Sequence, residues 1–228
     1  MKNKITVLII FLFAFCSISA QDWANLGRFR DENAKLGNPA KGEKRVVFMG
    51  NSITEGWLQA NPEFFKGKPY INRGISGQTT PQMLVRFYAD VVALKPSVVV
   101  ILAGTNDIAG NTGPSTLEMI MDNLKAMSEI AKANNIKVVL SSVLPATEYP
   151  WKPGMEPADK IISLNKMIKD YADANNLVYL DYYSALTDGN KGMKKEYTND
   201  GVHATKEGYM VMGPLAEAAI YKALKQKK

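Results

Sequence analysis

Residues 97–103 read Ser-Val-Val-Val-Ile-Leu-Ala, an apolar and largely β-branched run that ends just before Gly104. A strand that is apolar on both faces is typical of the centre of a parallel sheet covered by helices on each side. Comparable, shorter runs lie at residues 45–49, 69–72, 137–143 and 177–181. The sequence therefore predicts a sheet of about five strands.

Segments with helical periodicity separate these runs. Between residues 114 and 135, apolar side chains from Leu117 to Ile130 recur at intervals of three and four. Further helices are predicted over residues 23–36, 81–94, 158–174 and 205–225. Strands that alternate with helices predict βαβ units, and hence a single doubly wound α/β domain of the flavodoxin type. A chain of 228 residues suits one such domain.

The N-terminus has the pattern of a secretory leader. Two lysines lie among the first four residues, an apolar run covers residues 5–15, and small residues end the segment at Ala20. We expect residues 1–20 to be a cleaved signal peptide, residues 21–228 to form the domain, and the mature protein to be secreted or periplasmic. The apolar run is about half as long as a membrane span, so we expect no stable membrane insertion.

Composition and charge argue against several functions. The one cysteine, Cys16, lies within the leader, so the mature chain would have neither a disulfide nor a thiol nucleophile. Phe15 stands where a lipoprotein leader has a small residue, which argues against a lipid anchor. The formal charge of +6 comes largely from lysines spread over predicted helices and the C-terminus, whereas nucleic-acid binding needs a clustered basic face.

A metal or nucleotide cofactor is not expected either. The chain has one histidine, which together with the absence of a mature cysteine argues against zinc. The turn at residues 50–54 follows a predicted strand, but it lacks the Gly-Lys-Ser/Thr ending of a phosphate-binding loop.

Four polar segments that contain glycine follow the predicted strands, the last after an irregular stretch. They are Gly50-Asn-Ser-Ile-Thr54, Gly74-Ile-Ser-Gly-Gln-Thr79, Gly104-Thr-Asn-Asp107 and Asp200-Gly-Val-His203. Each segment alone is ordinary turn or helix-start chemistry. Because ligands of doubly wound sheets bind outside the carboxyl ends of the strands, we expect the four segments to meet on one rim and form a site.

The residue types on this rim suit acyl transfer. Ser52 becomes a nucleophile only if a nearby base removes its proton, and the imidazole of His203 can act as that base near neutral pH. Asp200, three residues earlier, can orient the imidazole and stabilise its cation. The backbone N–H groups of Ser52 and Gly77 and the side-chain amide of Asn106 are candidates for an oxyanion hole.

The four segments resemble, in order, the four blocks of the SGNH or GDSL-type hydrolases. The resemblance spans residues 46–209 and implies a serine esterase that needs no metal. Residues 72–107 are most similar to the branch that contains the catalytic subunits of platelet-activating-factor acetylhydrolase and many bacterial acetylesterases. By motif, the resemblance makes Ser52 the nucleophile. It places Gly77 and Asn106 in the oxyanion hole, and it makes Asp200 and His203 the Asp/His pair.

One residue departs from the family pattern. Asn51 stands where the family has aspartate before the serine. That position supplies none of the reacting groups, so we expect Asn51 to order the loop and activity to persist.

Four aromatic residues near the predicted rim are candidates for substrate contact. They are Trp57, Tyr149, Trp151 and Tyr197. Aromatic rings on a rim can stack on a sugar or cover an acyl chain, but they can equally pack a loop onto the domain.

The resemblance and the leader together favour a secreted esterase that removes short acyl groups, acetyl above all, from carbohydrates through an acyl-enzyme. The expected partner is thus a small-molecule or glycan ester. One alternative is a lysophospholipase, thioesterase or arylesterase that acts on longer acyl chains. A second is a non-catalytic glycan-binding module, which would be expected to have lost part of the catalytic set.

Overall fold

Five parallel strands form the central sheet. They are β1 (Val46–Gly50), β2 (Tyr70–Gly74), β3 (Val98–Leu102), β4 (Lys137–Ser141) and β5 (Val178–Leu180), arranged in the order β2-β1-β3-β4-β5. This computed structural model describes residues 22–226, so the predicted signal peptide lies outside the described residues. The strand order is that of the flavodoxin type, which confirms the predicted doubly wound fold.

Helices precede the first strand, connect the strands and follow the last strand. They are α1 (Arg30–Leu36), α2 (Ser52–Ala60), α3 (Thr80–Asp90), α4 (Thr105–Ile108), α5 (Leu117–Ala133), α6 (Ala158–Ala174), α7 (Tyr183–Leu186) and α8 (Lys206–Lys225). The helix predicted over residues 23–36 begins only at Arg30. Asn25 has φ of +56°, through which a right-handed helix cannot continue, and residues 26–29 form turns. Within residues 22–226, no helix combines the length and apolarity needed to cross a membrane.

Side chains of the strands alternate between two apolar layers, one on each face of the sheet. Val47 and Val99 contribute to the layer under α3, α5 and α6. Val46 and Val98, one residue earlier on the same strands, contribute to the layer under α2 and α8. Because both layers are filled, every residue of β1 and β3 is buried, as the uninterrupted apolar run at residues 97–103 predicts.

The strand order places a topological switch point between β1 and β3. From β1 the chain passes to β2 on one side, and from β2 it returns to β3 on the other side of β1. Crevices at the carboxyl ends of such strands are where doubly wound folds bind their ligands. Ser52 follows β1 and Asn106 follows β3, so both lie at this point.

Candidate active site

Ser52 is the first residue of α2 and follows β1 after the single residue Asn51. The Asn51 side chain is buried, and its Oδ1 accepts the backbone N–H of Ile53 at 3.0 Å. This is an N-cap interaction, which satisfies one of the free donors at the start of the helix. Asn51 therefore orders the turn that presents Ser52, the role expected for the residue that replaces the family's aspartate.

Two glycines allow the first turn of α2 to lie against the sheet. A Cβ on Gly74 would stand 2.2 Å from the backbone nitrogen of Glu55. A Cβ on Gly50 would overlap the side chain of Thr54 in α2 and stand 2.8 Å from the carbonyl oxygen of Leu102 in β3. Neither backbone group can move without displacing its element. Glycine at the ends of β1 and β2 is thus required for the position of Ser52.

A continuous chain of hydrogen bonds links the serine, the histidine and the aspartate. Ser52 Oγ lies 2.9 Å from His203 Nε2, and His203 Nδ1 lies 2.6 Å from Asp200 Oδ2. The other carboxylate oxygen, Oδ1, accepts the backbone N–H groups of Val202 at 2.9 Å and His203 at 2.8 Å. The turn therefore folds around the same carboxylate that orients the imidazole.

The environment of Asp200 favours its ionised form. Partial burial acts to raise its pKa, but the hydrogen bonds from the backbone and ring of His203 and from the backbone of Val202 outweigh burial and hold the pKa below its ordinary value. An ionised carboxylate at this position accepts a hydrogen bond from the Nδ1–H of His203, and the proton stays on Nδ1. Nε2 is then left without a proton and can accept one from Ser52.

Three candidate donors belong to residues that line one cleft, Ser52, Gly77 and Asn106. Among residues 22–226, the backbone N–H groups of Ser52 and Gly77 donate to no protein acceptor. Gly77 has φ of +75°, a conformation that favours glycine, and it lies exposed on the rim. The Nδ2 of Asn106 donates to the carbonyl oxygen of Gln78 at 3.0 Å, which uses one of its two protons and leaves the second. These groups can serve as an oxyanion hole.

A buried carboxylate fixes the segment that contains Asn106. Asp107 accepts the backbone N–H of Thr80 at 2.9 Å and the hydroxyl of Thr80 at 2.5 Å, which ties α4 to the start of α3. Burial raises the pKa of Asp107 despite these hydrogen bonds. The cost of burying this group is thus offset by contacts that hold Asn106 in place.

The rim groups enclose an open cleft of about 180 Å³. Its lining consists of Ser52, Ser76, Gly77, Asn106, Asn111, Trp151 and His203. Serine, asparagine and histidine side chains supply its polar groups, and Trp151 is the one large apolar side chain among these lining residues. The structure thus brings together Ser52, Gly77, Asn106 and His203, with Asp200 behind the histidine, as the sequence predicted.

Two lining residues had no role assigned from the sequence. Asn111 donates from Nδ2 to the carbonyl oxygen of Gly77 at 3.2 Å and accepts from Trp151 Nε1 at 3.2 Å. Ser76 donates its backbone N–H to Glu55 at 2.8 Å, which anchors the Gly77 loop to α2. Ser76 lies within the second sequence block, which could have marked it. No local pattern marks Asn111, because its partners are distant in the chain.

The four predicted aromatic residues take different positions. Trp151 lines the cleft with 42% of its surface exposed. Tyr149 is fully buried beneath it, with ring centroids 4.9 Å apart, and its hydroxyl accepts from Thr105 at 2.8 Å. Burial raises the pKa of Tyr149 to about 12. Tyr149 therefore supports Trp151 and does not itself face the cleft.

The structure contradicts the substrate contact predicted for Trp57, whereas the one predicted for Tyr197 stays a prediction. Trp57 is 2% exposed and stacks between Phe64, at 4.5 Å, and Tyr209, at 5.2 Å, in the layer under α2 and α8. It points inward because it lies four residues after buried Ile53 on the same face of α2. Tyr197 is partly buried against the same layer, outside the cleft lining.

Candidate metal ligands do not cluster in the described part of the chain. Between residues 22 and 226, no group of three or more His, Cys, Asp or Glu side chains is placed to hold an ion. The carboxylate of Asp200 is instead engaged by His203 and its own turn.

The chain is similar to a solved lipase structure and to two acetylxylan esterases. The solved structure of a GDSL-like lipase from Bacteroides thetaiotaomicron is 52% identical, with a TM-score of 0.85, over 88% of this chain and 98% of that one. An acetylxylan esterase of Xylanibacter ruminicola is 27% identical over 80% of this chain, which spans only 44% of the length of that protein. An acetylxylan esterase of Geobacillus stearothermophilus is 26% identical over 75% of this chain and 90% of its own length.

The family itself is identified over most of the chain. Residues 48–211 match the GDSL-like lipase/acylhydrolase family. The matched span begins in β1, before Ser52, and extends beyond His203, so it includes all four sequence blocks. This chain belongs to the GDSL-like lipase/acylhydrolase family of carboxylic ester hydrolases, as its four blocks predicted.

Proposed function

We propose that this protein is a secreted esterase that hydrolyses short-chain esters, acetyl esters of carbohydrates above all, with Ser52 as the nucleophile. The observation that carries the proposal is the unbroken chain of hydrogen bonds from Ser52 through His203 to Asp200, which opens on a small cleft. A nucleophile, its base and the residue that orients the base are the parts that acyl transfer requires.

In the first half of the reaction, Ser52 Oγ attacks the ester carbonyl carbon while His203 Nε2 takes the hydroxyl proton. Asp200 holds the imidazole in the correct tautomer and stabilises the cation that forms. When the bond between the carbonyl carbon and the alcohol oxygen breaks, His203 gives the proton to that oxygen. The alcohol leaves, and the acyl group remains on Ser52.

In the second half, water replaces the alcohol. His203 removes a proton from the water as its oxygen attacks the acyl carbon, and then returns a proton to Ser52 Oγ as the carboxylic acid leaves. In both halves the tetrahedral intermediate carries a negative oxygen. The N–H groups of Ser52 and Gly77 and the amide of Asn106 stabilise that charge without first having to reorganise.

The size and lining of the cleft favour a short acyl group. A volume of about 180 Å³ corresponds to roughly six water molecules. Pockets that enclose larger ligands are about 300 to 1,000 Å³ and mainly apolar. Trp151 is the one large apolar side chain among the described residues that line the cleft, so a long acyl chain would find little apolar surface there. The names of the Xylanibacter and Geobacillus relatives, both acetylxylan esterases, support an acetyl ester of a glycan.

The direct test is a series of p-nitrophenyl esters from acetate to palmitate, run beside acetate release from acetylated xylan. We expect the rate to be highest at acetate, with measurable deacetylation of the glycan. A maximum at about eight carbons or more would instead support a lysophospholipase, thioesterase or arylesterase. Binding to the glycan without turnover of any ester would support the glycan-binding module.

Secretion is a separate part of the proposal and rests on the leader at residues 1–20. It is tested by expressing the full chain in a bacterial host and sequencing the N-terminus of the exported protein. We expect the mature chain to begin at Gln21. A full-length chain that stays in the cytoplasm would contradict secretion and leave the esterase proposal intact.

A further inference from the structure

We propose that the exposed face of Trp151 is the platform on which a neutral sugar ring of the ester's alcohol portion stacks. This inference rests on the proposed function and names the part of the substrate that the site recognises. It concerns substrate recognition, and the chemical steps assigned to Ser52 and His203 are unaffected by it.

The position of Trp151 relative to His203 assigns it to the alcohol side of the substrate. The indole and imidazole centroids are 6.1 Å apart, with the two rings tilted by 44°. His203 must give its proton to the alcohol oxygen when that oxygen leaves, so the alcohol portion lies on the histidine side of Ser52. A group beside the imidazole therefore meets the alcohol before it meets the acyl chain.

Contacts with Tyr149 and Asn111 hold the indole in place. One face stacks on Tyr149 at 4.9 Å with an interplanar angle of 17°, and Tyr149 is itself fixed by Thr105. The Nε1 proton is donated to Asn111, whose amide also holds the Gly77 carbonyl. The indole nevertheless keeps 42% of its surface exposed and lines the cleft, so a ligand can reach it. A ring already held in its binding position loses little side-chain entropy when a ligand stacks on it.

The surroundings of the platform match a pyranose better than an aliphatic or aromatic alcohol. One side of a pyranose ring presents C–H bonds, which pack against the electron-rich face of an indole, and its edge presents hydroxyl groups. Asn111 and Ser76 line the cleft beside Trp151 and can exchange hydrogen bonds with those hydroxyls. Of the described residues that line the cleft, none is Asp, Glu, Lys or Arg, which favours a neutral sugar.

The test compares two acetate esters whose alcohols differ. Acetylated xylo-oligosaccharide offers a sugar ring to Trp151, whereas ethyl acetate offers two carbons and no aromatic ring. p-Nitrophenyl acetate is avoided because its aromatic leaving group could itself stack on the indole. Acetate release is measured for wild type, Trp151→Ala and Trp151→Phe. Trp23→Ala is the matched control, because Trp23 is also about half exposed but lies outside the cleft lining.

For Trp151→Ala we expect kcat/KM on the oligosaccharide to fall about tenfold, mainly through KM, and to fall several times more than kcat/KM on ethyl acetate. Trp151→Phe keeps an aromatic face and should recover most of the oligosaccharide activity. Trp23→Ala should match wild type on both esters. Thermal unfolding of each variant checks that the fold is retained.

Equal losses on the two esters in Trp151→Ala would overturn the platform and show that the indole acts only through the shape of the site. No loss on either ester would overturn it as well. If wild type hydrolyses ethyl acetate but not the oligosaccharide, the sugar platform is wrong and the esterase assignment stands. If wild type hydrolyses neither ester, the proposed function itself fails.

Discussion

Replacing Asp200 with asparagine should stop catalysis and leave the fold intact, because the two carboxylate oxygens have separate partners. Oδ1 accepts the backbone N–H groups of Val202 and His203, and an asparagine oxygen can accept the same two bonds. Oδ2 faces His203 Nδ1 at 2.6 Å, and the asparagine nitrogen that replaces it can only donate. The turn keeps both backbone hydrogen bonds. Only the side-chain group that faces Nδ1 changes, from a hydrogen-bond acceptor to a donor.

The change of donor and acceptor reverses the tautomer of His203. If Nδ1 must accept from asparagine, the ring proton moves to Nε2, which then donates to Ser52 Oγ and can no longer take its proton. The same substitution in a serine protease triad lowers kcat about 10⁴-fold. That factor corresponds to about 5.4 kcal/mol of lost transition-state stabilisation. We expect a loss of similar size here, because the hydrogen-bond chain is of the same kind.

The assay is steady-state hydrolysis of p-nitrophenyl acetate by wild type, Asp200→Asn and Asp170→Asn, with circular dichroism and urea unfolding for each. Asp170→Asn makes the same chemical change on an exposed face of α6 and should retain the wild-type rate. If folded Asp200→Asn retained more than about a tenth of the wild-type kcat, the tautomer of His203 would not depend on Asp200, and the assignment of Asp200 as the residue that orients the base would be refuted.

Asn106→Ala should lower kcat on acetate esters about 10²- to 10³-fold in steady-state kinetics, because one oxyanion donor is lost; a loss below tenfold would exclude that role. Gly74→Ala should lower the free energy of unfolding by about 1–3 kcal/mol or more, because its Cβ would meet the α2 backbone. The matched control Gly27→Ala, with a nearest atom at 3.7 Å, should change urea unfolding by less than about 0.5 kcal/mol. Trp57→Phe should reduce stability and kcat with KM nearly constant, whereas a raised KM at unchanged stability would restore a substrate role. The pKa of Asp200 is lower in the folded protein than the ordinary aspartate value of 3.8, so its carboxylate stabilises the fold at pH values above 3.8. This stabilisation is lost as the pH falls through the folded-state pKa. The difference in unfolding free energy between wild type and Asp200→Asn should therefore become smaller as the pH is lowered from 6 to strongly acid values. A difference that stays constant with pH would contradict a stabilising role of the carboxylate.

The fold was predictable because its determinants are local. The run at residues 97–103 is apolar at every position except its first, and β3 (Val98–Leu102) lies within it with both faces covered. The site was predictable for a related reason. Each block follows a strand or lies in a self-contained turn, so strand order alone brings the blocks to one rim. The Asp200–His203 pair is the extreme case, because the two residues are three positions apart and share one turn.

The contacts that shape the cleft could not be predicted from local sequence patterns. Asn111 and Trp151 are 40 residues apart, and their hydrogen bond depends on how two loops fold over the rim. Trp57 is a different case, because a signal was present. Ile53 and Trp57 are four apart on one helix and so share a face, which could have placed Trp57 in the core. The helical spacing from Ile53 therefore predicts the position of Trp57 better than its closeness to Ser52 in the sequence does.

The inward position of Trp57 also explains how a serine and a histidine 151 residues apart are held at 2.9 Å. Ser52 begins α2, and His203 lies just before α8, so their separation depends on how these two helices pack. Tyr209 of α8 stacks on Trp57 and donates its hydroxyl to the carbonyl oxygen of Ile53 at 2.6 Å. The hydrogen bond joins α8 to the first turn of α2, one residue from the nucleophile. The contacts between Tyr209 and α2 therefore help to set the distance from Ser52 Oγ to His203 Nε2. Weakening the packing of Trp57 and Tyr209 should lower kcat, even though neither ring lines the cleft.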